Sequence, residues 1–201
     1  MPSGDDEVRA AKLDQLRKAV EAYEAGEGPT LFDHAAEEAK AEVRNRALRL
    51  LDQRARSREE LNSRLTALEF EPRVIAEVLD DLESARLIDD REFAREWVRQ
   101  RHQRRGKSAR VLDRELSQKG VSATVRAEAL EQIDAADEEA MARQLAAKKA
   151  RSIKTAPADR TERDKQLRRI VGVLARRGFP EGMALRVARE ALKERLQELE
   201  L

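Results

Sequence analysis

The chain has 201 residues, 41 of them Lys or Arg and 40 Asp or Glu, for a formal net charge of +1. Six residues are aromatic, two are histidine and none is cysteine, which excludes a disulfide framework, an iron–sulfur cluster and a cysteine-based zinc site. With only His34 and His102, a histidine-rich metal cage is not expected either, and no cofactor is.

The longest apolar run, residues 170–175, has six residues, whereas a membrane helix needs about 20. The start MPSGDDEV has neither the basic nor the apolar region of a secretory signal. A cytoplasmic, soluble protein without membrane contact is expected. Ala, Leu, Glu, Arg and Lys, the strong helix formers, dominate, and β-branched and aromatic alternation is nearly absent. The expected fold is all-α.

Residues 1–41 read as a separable, acidic N-terminal segment. Leu13, Leu16, Val20 and Tyr23 form one amphipathic stripe, ended by GEGPT at 26–30. Few large apolar residues accompany it, so the segment is expected to be helical or partly disordered. From Val43 onward the pattern becomes short, punctuated helices. A leading helix over 43–56 precedes Ser57, which with Glu60 has capping-box spacing. The helix it opens lines up Leu61, Leu65 and Leu68. Phe70 and Pro72 follow, then a helix with Val74, Ile75, Val78, Leu79 and Leu82 on a buried face. Asp89 and Glu92 have the same cap spacing ahead of Phe93 and Trp97.

The chain then repeats itself. A shift of 51 residues superimposes Ser57 on Ser108, Leu61 on Leu112, Leu65 on Leu116, Phe70 on Val121, Val74 on Val125 and Leu79 on Leu130 without a gap. A shift of 109 sets Leu61 on Ile170, Leu65 on Leu174, Phe70 on Phe179 and Val78 on Val187. Glycine precedes the Val or Phe in the second and third copies (Gly120, Gly178), as the residue that accepts a positive φ after a helix. The first copy has Glu69 there, so its turn must differ or be strained. Leading helices at 90–105 and about 137–151 complete the later copies, the last after a loop at 152–161 with a cap expected at Thr161. The expected architecture is an elongated array of three tandem three-helix repeats, at 42–88, 89–135 and 136–201, behind the variable segment 1–41. A unit of this size is marginal alone, and stacking supplies the missing burial.

The near-zero net charge conceals segregation. Residues 99–119 carry eight basic and two acidic side chains, and residues 143–178 carry twelve and three; the stretch between, 120–142, carries one and six. Two basic patches follow as candidate partner-binding sites: Arg99, Arg101, Arg104, Arg105, Lys107, Arg110, Arg114 and Lys119, then Lys148, Lys149, Arg151, Lys154, Arg168, Arg169, Arg176 and Arg177. Solvated helix faces are the plain alternative; phosphates, or acidic surfaces of a protein that coats nucleic acid, are the functional ones.

No catalytic constellation emerges. GKS at 106–108 lacks the upstream glycine and the strand of a phosphate-binding loop, and Ser108 reads as a cap, like Ser57. Asp89 and Asp90 have no convergent partner and read as a helix start. Phe93 and Trp97, four apart, suit core packing better than a stacking platform for single-stranded nucleic acid. The protein is not expected to be an enzyme.

The stretch LIDDREFAREWVRQRHQRRGKSARVLDRELSQKGV, residues 87–121, resembles the RecX family of bacterial regulatory proteins. The resemblance rests on Leu87, Ile88, Asp89, Asp90, Phe93, Ala94, Trp97, Gly106, Leu112, Leu116, Lys119, Gly120 and Val121; SREELNSRL at 57–65 and RRGF at 176–179 also fit. Trp97 stands where the family more often has Tyr. The resemblance implies a monomer that binds RecA and its filament on single-stranded DNA. It implies inhibition or modulation of RecA's ATPase, strand-exchange and coprotease activities in recombination, repair and the SOS response. Direct, weak DNA binding is the alternative reading of the same basic patches.

Overall fold

The computed structural model of the chain describes residues 34–200 and, before them, only Arg17, Lys18 and Glu21. The stripe at Leu13, Leu16, Val20 and Tyr23 and the GEGPT break lie outside the described residues. Among the described residues α-helix is the sole regular element: α1 His34–Gln53, α2 Arg58–Thr66, α3 Pro72–Ser84, α4 Asp90–Arg105, α5 Ala109–Gln118, α6 Ala123–Leu130, α7 Ala135–Ala150, α8 Arg160–Arg176 and α9 Glu181–Leu199. The all-α reading holds.

The helices pack in three successive groups of three, each around its own apolar cluster. α1–α3 bury Val43, Leu61, Leu65, Ile75, Val78 and Leu82. α4–α6 bury Phe93, Val98, Leu112, Leu116 and Val121. α7–α9 bury Ile170, Leu174, Phe179, Val187 and Leu192 beneath a small-residue face of α7, Ala142, Ala146 and Ala150. The positions that superimpose in the repeat are the fully buried ones: Leu61, Leu112 and Ile170, then Leu65, Leu116 and Leu174. Among the described residues no hydrogen bond or ion pair joins the first unit to the third.

Local chemistry sets the helix boundaries. Ser57 and Glu60 form a complete capping box. Asp89 accepts from the amides of Arg91 and Glu92, without the reciprocal bond from Glu92. The cap of α8 is Asp159 rather than Thr161, because its carboxylate reaches the Glu162 amide at 2.7 Å and Asp caps at least as well as Thr. α1 starts nine residues before the expected 43: residues 37–39 are exposed, and Lys40 bridges to Glu77 of α3 at 2.8 Å.

The turn after the second helix of each unit has the same form. Gly120 and Gly178 take φ of 74° and 86°, and Glu69 takes φ of 64° at the matching place. The first turn is thus the same left-handed turn, made by a residue that pays for it in backbone strain.

Candidate functional site

The three apolar clusters are separate, and the hydrogen bonds at the joints between them repeat. At the first joint the Ser57 hydroxyl donates to the Lys119 carbonyl at 2.6 Å. Asp90, in the first turn of α4, accepts from the backbone amide of Arg58, the first residue of α2, at 2.8 Å. At the second joint the Ser108 amide donates to the Arg177 carbonyl at 3.0 Å. Glu138, in the first turn of α7, accepts from the amide of Ala109, the first residue of α5, at 2.9 Å. In both, a carboxylate of the following unit satisfies an orphan N–H at a helix N-terminus and meets its positive dipole end. Asp89 and Asp90 therefore divide the work: Asp89 caps its own helix, and Asp90 caps the helix of the unit before. Burial raises the Asp90 pKa above the usual aspartate value, against the opposing bond from the Arg58 amide.

The glycines of the turns are the points of closest approach. A Cβ on Gly120 would lie 2.3 Å from Glu59 Cβ, and one on Gly178 would lie 2.2 Å from a Val111 methyl and 2.7 Å from Ser108 Oγ. Gly106, the left-handed end of α4, faces Leu145 and Met141 of the third unit, 2.9 and 3.2 Å from where its Cβ would be. GKS at 106–108 is thus a helix stop followed by a helix start: Ser108 accepts from the Val111 amide.

The first joint also carries an electrostatic cluster. Glu60 receives two bonds from Arg54, at 3.1 and 2.9 Å, and one from Lys119 at 2.6 Å. Burial pushes its pKa up, but these bonds and charges outweigh burial and hold it at about 2. The Lys119 ammonium is 4.3 Å from the centre of the Trp97 ring, and the Arg101 guanidinium lies 3.6 Å from the same centre. Trp97 Nε1 donates to Glu115 at 3.1 Å, and Glu115 also takes Lys107 and Arg101. Phe93 is core, as expected; Trp97 is only half-buried, its ring centre 5.6 Å from that of Phe93, and gathers cations around it.

This divides the first basic patch. Arg99 pairs with Glu96, and Arg101, Lys107 and Lys119 are consumed by Trp97, Glu115 and Glu60. Arg104, Arg105, Arg110 and Arg114 are exposed and make no ion pair. In the second patch none of the eight makes an ion pair: Lys148, Arg151, Lys154, Arg168, Arg169 and Arg176 are exposed, Lys149 and Arg177 half-buried. Arg169 bonds Gln166 alone, and Arg177 lies at the second joint over Gly106. By contrast the paired cations of α7 and α9, Arg143 and Arg186, converge on Glu139 and hold it at about 2. Sequence reasoning missed these joint partners, Glu59, Glu60, Asp90 and Glu138; only the matched places of Asp90 and Glu138, each in the first turn of a leading helix, offered a signal.

Among the described residues no three His, Asp or Glu side chains are placed to hold a metal ion. No described helix is long and apolar enough to cross a membrane.

Comparison with known proteins agrees with this arrangement. Residues 44–82 match the model of the first RecX three-helix domain and residues 89–130 that of the second. The chain is 62% identical over 197 residues to "Regulatory protein RecX" of Corynebacterium efficiens, covering 96% of this chain and 94% of that protein. It is 44% identical over 153 residues to the Streptomyces coelicolor protein of the same name, covering 76% and 79%. The crystal structure of RecX from Lactobacillus salivarius superimposes with a TM-score of 0.65 at 23% identity, over 79% of this chain and 99% of that one, and shows the shared fold. On its identity to these relatives, the chain belongs to the RecX family of regulatory proteins.

Proposed function

We propose that this protein binds RecA and its filament on single-stranded DNA in the cytoplasm, as a monomer, and restrains the ATPase, strand-exchange and coprotease activities of RecA. It would act as a binding module rather than an enzyme. The observation that carries this reading is the contrast between the two kinds of cation. Lys119 is neutralised by Glu60 across the first joint, and Arg101 and Lys107 by Glu115 within the second unit. Those of the second patch, with Arg104, Arg105, Arg110 and Arg114, stand unpaired on the resulting frame. A frame of successive units presenting cations at set places suits a regular polymer, on which several weak contacts add as avidity.

The test is RecA's DNA-dependent ATP hydrolysis with increasing amounts of this protein. Wild-type protein is expected to inhibit; the triple variant Arg104→Glu, Arg105→Glu, Arg110→Glu is expected to inhibit less at equal helicity. Equal inhibition by both would remove the first patch from the contact. A second reading, direct DNA binding, draws on the same unpaired cations. It predicts a log–log salt slope of about −0.7 per phosphate contacted on a bare single strand, and no shift of bare DNA at low salt would exclude it.

A further inference from the structure

The two joints share their backbone contacts but not their charges. At the first, Lys119 ends α5, its carbonyl accepts from the Ser57 hydroxyl, and its ammonium donates to Glu60 at 2.6 Å. Arg54, just ahead of Ser57, holds the same carboxylate through two bonds, at 3.1 and 2.9 Å. One carboxylate is thus clamped by two cations, one from each unit.

The repeat carries Ser57 to Ser108, Arg54 to Arg105, Lys119 to Arg177 and Glu60 to Val111. Arg177 ends α8, and its carbonyl accepts from the Ser108 amide, so it stands at the second joint as Lys119 stands at the first. Its guanidinium lies 3.2 Å from where a Cβ on Gly106 would be, beside the end of α4 that carries Arg105. Both cations of the clamp are kept, while an apolar side chain replaces the carboxylate. Glu138 does not stand in for Glu60, because it accepts from the Ala109 amide as Asp90 accepts from that of Arg58. Next to Val111, Arg110 takes the place of Glu59. Arg105 and Arg110 are exposed and Arg177 is half-buried, and none of the three makes an ion pair among the described residues.

We infer that the second joint binds a phosphate group between Arg105 and Arg177, at the place where the first joint holds the Glu60 carboxylate, and that this group ties the third unit to the second. Two guanidinium forks replace the Arg–Lys pair of the first joint, and such forks match phosphate oxygens two at a time. With Arg110 alongside, three cations suit a group with several charged oxygens better than a lone carboxylate. Until an anion arrives, the like charges at this joint repel one another, so binding favours the closed joint. Free phosphate and the backbone of a nucleic-acid strand offer the same chemistry. The site requires no contact with RecA, so it stands or falls apart from the function proposed above.

Amide exchange in the full chain tests this without RecA. Ser108 and Ala109 donate their amides across the second joint, and Arg58 across the first. With inorganic phosphate at about ten times its dissociation constant, exchange at Ser108 and Ala109 is expected to slow about tenfold relative to chloride at equal ionic strength, with Arg58 unchanged. Arg105→Gln with Arg177→Gln is expected to abolish the slowing; both side chains reach solvent, so the fold does not depend on them. Val111→Glu, which restores the carboxylate, is expected to slow the same amides without phosphate and to lose the response to it. Equal exchange in phosphate and chloride would overturn the site, as would slowing that persists in the double glutamine variant. A single-stranded oligonucleotide that reproduces the slowing at low salt would assign the phosphate to a strand, and slowing by inorganic phosphate alone would assign a free anion. Slowing by a glutamate-rich peptide but not by phosphate would give the site to a protein carboxylate and refute the proposal.

Discussion

Substituting alanine for Gly120 tests whether the joints, rather than the turns alone, require glycine. Two terms combine. The backbone sits at φ 74°, where an L-residue costs about 1–2 kcal/mol, offset by about 0.4–1 kcal/mol because alanine restricts the unfolded chain. The new methyl would then stand 2.3 Å from Glu59 Cβ and 2.4 Å from its Cγ. Both atoms lie on the first turn of a packed helix, so the units must part by about 1 Å to restore ordinary contact. Parting them weakens the Ser57–Lys119 and Lys119–Glu60 bonds, worth about 1 kcal/mol each. The expected loss is about 2–4 kcal/mol, read from the midpoint of urea unfolding at unchanged slope. Two reference variants isolate the terms. Glu69→Gly relieves the same backbone strain with no neighbour involved and should leave stability unchanged or raise it by up to about 1 kcal/mol. Gly182→Ala, inside α9 with open space around it, should stabilise by about 0.5–1 kcal/mol. If Gly120→Ala costs no more than about 1 kcal/mol, the backbone alone accounts for it and the joint is not tightly closed.

Further consequences follow from the same contacts. Glu60 is held at about 2 against an ordinary 4.5, so its stabilisation is full above 4.5 and is lost as pH falls towards 2. After discounting for solvent at the joint this is about 1–2 kcal/mol. Glu60→Gln should flatten that acid limb in a series of urea midpoints between pH 6 and 3, and an unchanged limb would show that the cluster contributes nothing (the pH values are set at about the span of the titration). Trp97→Ala should cost about 2–3 kcal/mol, less than a fully buried tryptophan, and leave Arg101 and Lys119 only their carboxylate partners; an unaltered salt dependence of stability would argue against the cation cluster. Leu65→Ala should cost about 2–5 kcal/mol in the first unit. Because the cores are separate and Trp97 is the single tryptophan, its fluorescence should unfold later than far-ultraviolet ellipticity in that variant. Coincident transitions would mean that the joints couple the units into one cooperative body.

Much of the helical frame was legible in the sequence because its signals are local. The capping box at Ser57, the stops at Gly120 and Gly178, and the repeated Leu61 and Leu65 positions each act within a few residues, and the structure bears them out. The joints were not legible, since they link residues 29 to 69 positions apart by single hydrogen bonds that leave no periodic trace. Asp90 shows the limit: its neighbour Asp89 makes a sufficient helix cap, so nothing nearby announces that Asp90 serves another helix. The basic patch shows another. Counting eight cations in 99–119 says how much charge is present, but Trp97 and Glu115 decide how much of it faces solvent. α1 began early for a related reason: a polar, alanine-rich stretch propagates a helix without the apolar stripe that periodicity detects.

Glu69 gives the argument for reading the array as directional. At the same left-handed turn the second and third units use glycine and the first uses glutamate, at a backbone cost of about 1–2 kcal/mol. Glycine would remove that cost, so the turn itself does not explain the choice. What separates the three turns is the neighbour: Glu59 and the Ser108–Val111 turn allow no Cβ at Gly120 and Gly178, whereas Glu69 is exposed. Glycine is therefore required where one described unit docks on the next. The same reasoning applies to charge. Lys119 and Arg177 stand at the joints, and Lys119 is neutralised by Glu60 of the preceding unit. Leu68, at the equivalent place, is uncharged and 43% exposed, in a groove it shares with Glu42 and Arg49. A Leu68→Lys, Glu69→Gly double variant would give the first turn the chemistry of the second. It should fold and should be more stable than Leu68→Lys alone by at most about 1 kcal/mol. Read from urea midpoints, no gain over Leu68→Lys alone would show that Glu69 carries no backbone strain.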